Sequence, residues 1–257
     1  MNTVKAKKYL GQHFLKDQNI AYKITESLLP LTQNVLEIGP GTGVLTQYLF
    51  GNPSISLQAM DVDSESIDYL HRTFPDHQSQ ILYGDFLKTN LSSLYTDSFS
   101  VIGNFPYNIS SQIFFRILEH RNQIPQVVCM IQKEVAERIS SPYGNKTYGI
   151  LSVFLQTFYD IEYLFTVGEH VFDPPPKVKS AVIRLIRNQR NPLECNEQLF
   201  FQLVKTGFNQ RRKTLRNSLK SLLPIDFSSS YLSLRPEQLS VTDFIQLCQT
   251  IENHKSV

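Results

Sequence analysis

Cysteine is scarce and scattered. Cys129, Cys195 and Cys248 are an odd set of three with no Cys-x-x-Cys pair, so neither a disulfide framework nor a zinc site is indicated, and the thiols read as reduced packing residues. No apolar run approaches the roughly 20 residues that span a bilayer. The start, Met1-Asn2-Thr3-Val4-Lys5, lacks the apolar stretch of a secretory signal. The expectation is a cytoplasmic, monomeric protein with no membrane partner and no metal. Net charge is also small, +2 over 257 residues, and by itself implies no polyanionic partner.

The distribution of that charge says more than its sum. Between 177 and 220 stand eleven Lys or Arg residues, among them Lys205, Arg211, Arg212, Lys213 and Arg216, against only Glu194 and Glu197. The rest of the chain is therefore acidic, and the positive field is concentrated as a polyanion-binding face would be. A hydrophobic content of 41% with 19% charged residues suits one sizeable core plus a smaller appended domain.

Periodicity orders the elements. Asp17 caps an amphipathic helix carrying Ile20, Ile24 and Leu28. Asn34 to Ile38 reads as a buried strand running into Gly39-Pro40-Gly41-Thr42-Gly43, followed by a helix closed at Gly51. Ile55 to Met60, Ile81 to Tyr83, Val101-Ile102 and Val127 to Ile131 read as further strands, with helices at Ile67/Leu70 and Ile113 to Leu118 between them. Strands alternating with helices predict an α/β fold: a Rossmann-like, mostly parallel sheet covered on both faces. After Val182 to Ile186 only helical spacing remains. Asn191-Pro192 marks the expected boundary between a catalytic domain, 1–190, and a small all-helical RNA-binding domain, 191–257.

In a parallel sheet the ligand sits at the carboxyl ends of the strands. Gly39, Asp61, Asp85 and Asn104 each follow a different strand, so the fold should gather them along one edge. Gly39-x-Gly41-x-Gly43 lets the backbone turn sharply and approach a ligand, although nicotinamide enzymes use a similar turn with another glycine spacing. Asp61, about 20 residues on, suits a ribose diol. Asp63 is the better helix cap, and Asp85 could accept from an adenine amino group beside Phe86. Asn104-Phe105-Pro106-Tyr107 suits methylation of an exocyclic adenine amine. The Asn104 side-chain carbonyl and the Pro106 main-chain carbonyl would each accept an N–H, and Tyr107 would stack on the base. A plain turn is the competing reading of that tetrapeptide.

Taken together, these residues resemble the ribosomal RNA adenine dimethyltransferases that modify two adjacent adenosines near the 3′ end of small-subunit RNA. The resemblance is carried by Glu37 to Gly43, Gly103 to Ser110, Gly11-Gln12-His13-Phe14-Leu15, Gln132 to Val135, Phe172-x-Pro174-Pro175-Pro176-Lys177-Val178 and Phe208 to Arg216. It implies S-adenosylmethionine as methyl donor, ribosomal RNA in a late small-subunit assembly particle as substrate, and a place in ribosome biogenesis. It also implies that Gln12, His13 and Leu15 close over the cofactor and that Phe172 lies near the target base, with packing as the alternative for Phe172. The family commonly has Asn where His13 stands and Leu where Phe105 stands. Competing readings are a large-subunit adenine methyltransferase of the antibiotic-resistance type, a non-catalytic RNA-binding or transcription factor on the same fold, a nicotinamide dehydrogenase and a DNA adenine methyltransferase.

Overall fold

The computed structural model describes residues 4–190 and 193–255; the expected boundary at Asn191-Pro192 lies outside the described residues. The chain enters through a two-residue strand β1 (Phe14–Leu15) and helix α1 (Gln18–Thr25), whose start is capped by the Asp17 carboxylate accepting from the Asn19 and Ile20 amides. Strand β2 (Asn34–Ile38) leads through the glycine turn to α2 (Thr46–Phe50), and β3 (Ser56–Asp61) to α3 (Ser64–Thr73). Asp63 caps α3 through the Glu65 amide, as expected from its place next to the helix start. Strand β4 (Ile81–Tyr83), strand β5 (Ser100–Asn104), helix α4 (Ser110–Glu119), strand β6 (Gln126–Gln132) and helix α5 (Lys133–Ser140) complete the alternating part.

Helix α6 (Ile150–Phe158) and strand β7 (Tyr159–Val167) follow, then the short β8 (Phe172–Asp173) and the long β9 (Ser180–Arg187). The seven-stranded sheet has the order β4-β3-β2-β5-β6-β9-β7. The four pairings among its five strands from β4 to β6 follow the expected parallel pattern: β2 meets β3 and β5, β3 meets β4, and β5 meets β6. Strand β9 runs antiparallel to β6, so its first residue lies at the carboxyl edge of the parallel strands. Strand β7 was not anticipated, although Tyr159, Ile161, Tyr163, Phe165 and Val167 alternate with Asp160, Glu162, Leu164 and Thr166, the period-2 signal of a half-buried strand.

Alternation also explains how the sheet is covered on both faces. Val35, Leu57, Ile102, Val128, Met130 and Val182 join one core with Ala21 and Ile24 of α1 and Leu49 of α2. Their neighbours Leu36, Val101, Val127, Cys129 and Ile183 are buried too and, by the pleat, face the other side.

Chain contacts divide the protein into two compact units. One runs through Ala136 and adds Ile161–Arg187; the other holds Glu137–Asp160 and resumes at Asn188. The second unit therefore takes α6 as well as α7 (Glu197–Asn209), α8 (Leu215–Ser218) and α9 (Val241–Lys255). Its core is aromatic: Phe154 meets Phe201 edge to face at 4.6 Å, and Phe208 lies 6.2 Å from Phe244.

Glu37 sits in the middle of the first unit with 1% of its surface exposed. Burial pushes its carboxyl up to about 8 from an ordinary value of 4.5, against a hydrogen bond donated by the Thr46 hydroxyl at 2.8 Å and with a push from Asp61. The folded protein therefore holds a proton here that the unfolded chain releases. The stabilisation this confers is complete below about pH 4.5 and is lost as pH rises towards 8, by at most about 1.4 kcal/mol per pH unit. Glu37→Gln is expected to flatten that decline, so that urea unfolding at pH 8 shows a gain over the native protein that is absent at pH 4.5.

Candidate active site

The carboxyl edge of the sheet gathers three turns. The first leaves β2 at Gly39, Gly41 and Gly43, all with positive φ (68°, 56° and 80°), where a side chain would be strained. A Cβ on Gly41 would come within 2.8 Å of the Phe14 ring, so this glycine is also required by packing. The second turn leaves β3 at Asp61, which is 6% exposed. Its carboxylate accepts from the Gly41 amide at 3.2 Å and the Asp63 amide at 2.9 Å. Burial raises its pKa, and those two amides offset only part of the rise.

The third turn leaves β5 at Asn104. Its side-chain nitrogen donates to the main-chain carbonyl of His13 at 2.9 Å. A carbonyl can only accept, so this bond fixes the amide's orientation and leaves Asn104 Oδ1 as an unspent acceptor. Phe105, buried beside Phe114 with ring centroids 5.9 Å apart, points into the core and accounts for the apolar requirement at that position. Pro106 follows, and its carbonyl accepts from the Ile109 amide at 3.2 Å, which retains one lone pair. Tyr107 is half-buried; its hydroxyl hydrogen-bonds the Ser180 hydroxyl. Burial raises the Tyr107 phenol pKa, so it remains a neutral hydroxyl.

Across these turns lies the N-terminal segment. Lys7 pairs with Asp63, and lies 3.3 Å from Glu65. The Gln12 amide donates to Asp63 at 3.1 Å. Burial raises the Asp63 pKa, but Lys7, Gln12 and the Glu65 amide outweigh it, and the net shift is downward. Further along, Asn108 donates to the Tyr9 carbonyl at 3.3 Å. His13 Nδ1 lies 2.8 Å from the Pro174 carbonyl, which requires that Nδ1 carry a proton and leaves Nε2 as an acceptor in the neutral ring. The His13 and Tyr107 rings are 5.4 Å apart.

Two cavities result. One, of about 220 Å³, is lined by Gln12, His13, Phe14, Gly39, Gly41 and Asp61 together with Asn104, Pro106 and Tyr107. The other, of about 550 Å³, lies against Lys8, Gln132, the triple proline 174–176 and Lys177. Gly11, Gln12, His13, Tyr107 and Asn108 line both. Most of the residues expected at the site thus come together.

Three do not. Leu15 and Phe172 face each other in the antiparallel β1–β8 pair, are 3% and 1% exposed, and pack into the core with Ile24 and Val128; neither lines the two cavities. Phe14, on the opposite side of the same strand, lines the first cavity. Asp85 also stands outside both cavities. Its carboxylate accepts from the Leu87 amide at 3.0 Å and lies 3.4 Å from Lys88, the behaviour of a turn cap. Ser180, a lone serine ahead of an apolar run, carries no signal in the sequence.

In the second unit Arg212, Lys213 and Arg216 are exposed. Arg211 differs: it donates to the Lys146 carbonyl and lies 3.9 Å from Glu237. Among the described residues no group of His, Cys, Asp or Glu is arranged to hold a metal ion, and no helix is long and apolar enough to cross a membrane.

A sheet of this order, with a glycine-rich turn after its first strand, an acid at the end of the second and Asn-x-Pro-Tyr at the end of the fourth, defines a Rossmann-like methyltransferase. The whole length of the chain narrows the class. Residues 3–252 match the model of the ribosomal RNA adenine dimethylases, and the chain belongs to that family. It is 58% identical to ribosomal RNA small subunit methyltransferase A of Cytophaga hutchinsonii, covering 96% of this chain and 97% of that one. With its counterpart in Parabacteroides distasonis it shares 55% identity over 99% and 97%. Among solved structures, a dimethyladenosine transferase from Plasmodium falciparum superposes with a TM-score of 0.80 at 27% identity, covering 95% of this chain and 99% of that one. A 23S ribosomal RNA methyltransferase gives a TM-score of 0.70 at 25% identity, over 92% and 99%.

The family uses S-adenosylmethionine, and the residues present fit it. Gly39 and Gly41 leave their backbone bare along the cavity, and Asp61 offers a buried carboxylate with lone pairs still free for a ribose diol.

Proposed function

We propose that this protein transfers methyl groups from S-adenosylmethionine to the N6 amine of two adjacent adenosines near the 3′ end of small-subunit ribosomal RNA, within a late assembly particle. The observation that carries the reading is the Asn104 amide, anchored through its nitrogen to the His13 carbonyl with its oxygen left to accept.

When bound, the cofactor supplies an electrophilic methyl group on a positively charged sulfur. Asp61 would hold the ribose hydroxyls, and the Gly39–Gly41 backbone would lie along the cofactor. An adenine amine is a poor nucleophile because its lone pair is delocalised into the ring. Asn104 Oδ1 and the Pro106 carbonyl each accept one N–H and favour a tetrahedral nitrogen. The alkylated nitrogen is acidic and loses its proton to water, so no strong base is required. Tyr107 stacks on the base, a contact worth about 1–3 kcal/mol. Alignment of two fixed partners is the main source of rate, up to roughly 7–11 kcal/mol in favourable cases. The small-subunit substrate is favoured over the large-subunit one by relatives above 50% identity along nearly the whole chain.

Incubation with labelled S-adenosylmethionine and unmodified small subunits, followed by nucleoside mapping, tests the reading. Dimethyladenosine at two adjacent positions is expected; label in large-subunit RNA alone would replace this reading with the antibiotic-resistance type. The exposed Arg212, Lys213 and Arg216 would carry RNA contacts. Replacing all three by alanine is expected to weaken binding and to lower the slope of log affinity against log salt by about 2, from roughly 0.7 per lost phosphate contact on single-stranded RNA. An unchanged slope would make the cluster an ordinary solvated surface. Arg211→Ala should affect the slope less, since that side chain is already engaged within its own unit.

A further inference from the structure

The antiparallel strand brings one residue to the active edge that the proposed chemistry does not use. Ser180 opens β9, opposite Gln132 at the end of β6, and two strands over lies Asn104, which ends β5 and pairs with Met130 of β6. Ser180 is 0% exposed, and its hydroxyl bonds the Tyr107 hydroxyl from 73 residues away. A phenyl ring attached to a turn can swing about χ1 and χ2. Here His13 stands beside the ring, and the serine fixes its far end.

We propose that Ser180 is a positioning residue for methyl transfer, acting through this bond to hold the Tyr107 ring in the orientation at which it receives the target base. Ser180 does not touch the base itself; it sets the plane against which the base lies. The sheet makes the anchor rigid, because the serine belongs to a strand paired with β6 from Ser180 through Ile186, while Tyr107 belongs to a turn. The inference rests on the reading of Tyr107 as the stacking residue, and a buried serine kept merely for packing would behave differently in the following test.

The proposal is tested on the full-length protein with Ser180→Ala, Tyr107→Phe and the double variant, each of which removes the same bond. Ser180→Ala is expected to lower kcat/KM for the RNA substrate about tenfold, in keeping with the sensitivity of aligned reactions to small misplacements, with the dissociation constant for S-adenosylmethionine within about twofold. The double variant is expected to be no slower than the slower single variant, the signature of one shared interaction. Ser180→Thr, which keeps the hydroxyl, should recover most of the rate. An independent readout is 19F NMR of protein grown with 3-fluorotyrosine, with the Tyr107 resonance identified by its disappearance in Tyr107→Phe. That resonance should move in Ser180→Ala and return towards its native position in Ser180→Thr. Losses that multiply in the double variant, or a Tyr107 resonance indifferent to Ser180, would overturn the proposal. A wild-type protein inactive on small subunits would instead sink the substrate reading, and the NMR arm would still decide whether the bond holds the ring.

Discussion

Asn104→Ala is expected to lower the single-turnover rate of methyl transfer by about 10²–10³-fold, the usual cost of deleting one preorganised polar group aimed at the reacting atoms. Cofactor affinity should stay within a few fold, because Asp61 and the glycine turn remain. Two functions are lost together in this variant: the Oδ1 acceptor, and the bond that fixes the N-terminal segment at the His13 carbonyl. Asn104→Asp separates them. A carboxylate still accepts from an amine, but it has no proton for His13 and sets two acceptors against each other at about the present 2.9 Å separation. If positioning of the amide matters as argued, Asn104→Asp is nearly as slow as alanine at neutral pH. Single-turnover rates with calorimetric cofactor binding decide the point, and an aspartate variant close to native speed would reduce Asn104 to a bare acceptor.

Asp61→Ala is expected to act on affinity instead. Charge-assisted hydrogen bonds contribute about 1.5–3 kcal/mol each. Loss of the ribose pair, partly offset by water entering the site, should weaken S-adenosylmethionine about 100-fold. The alanine also strips the Gly41 and Asp63 amides of their acceptor, which loosens the glycine turn and the start of α3. The native residue brings a pH signature. Only the ionised carboxylate accepts from both ribose hydroxyls, and burial raises its pKa. Cofactor affinity should therefore fall on acidification at a higher pH than an ordinary Asp would give, and the alanine variant should not show that fall. An affinity in Asp61→Ala equal to the native one would remove Asp61 from the cofactor site.

The parallel part of the fold was legible because each buried strand ends in a polar or glycine turn, and Gly39, Asp61 and Asn104 stand at those ends. Asp85 stands at one too, yet closes its own turn: position at the sheet edge does not say whether a short carboxylate looks outward or caps the next amide. Leu15 and Phe172 expose a second limit. A shift of one position along a strand reverses the face, and sequence pattern alone did not reveal that Phe14, not Leu15, faces the glycine turn. β7 alternates plainly but follows without a break on a mostly apolar helix, Ile150–Phe158. Ser180 depends on the direction of β9, which is a property of the whole sheet.

The wall of Gly11, Gln12, His13, Tyr107 and Asn108 common to both cavities has a thermodynamic corollary. With cofactor and target base in these two cavities, as proposed, any coupling carried by that wall would be reciprocal: the factor by which cofactor tightens the base would equal the factor by which the base tightens cofactor. A substitution in the wall can therefore change this shared factor as well as the affinity for either ligand taken alone. Measuring cofactor affinity with and without the RNA substrate isolates that factor from the two separate affinities.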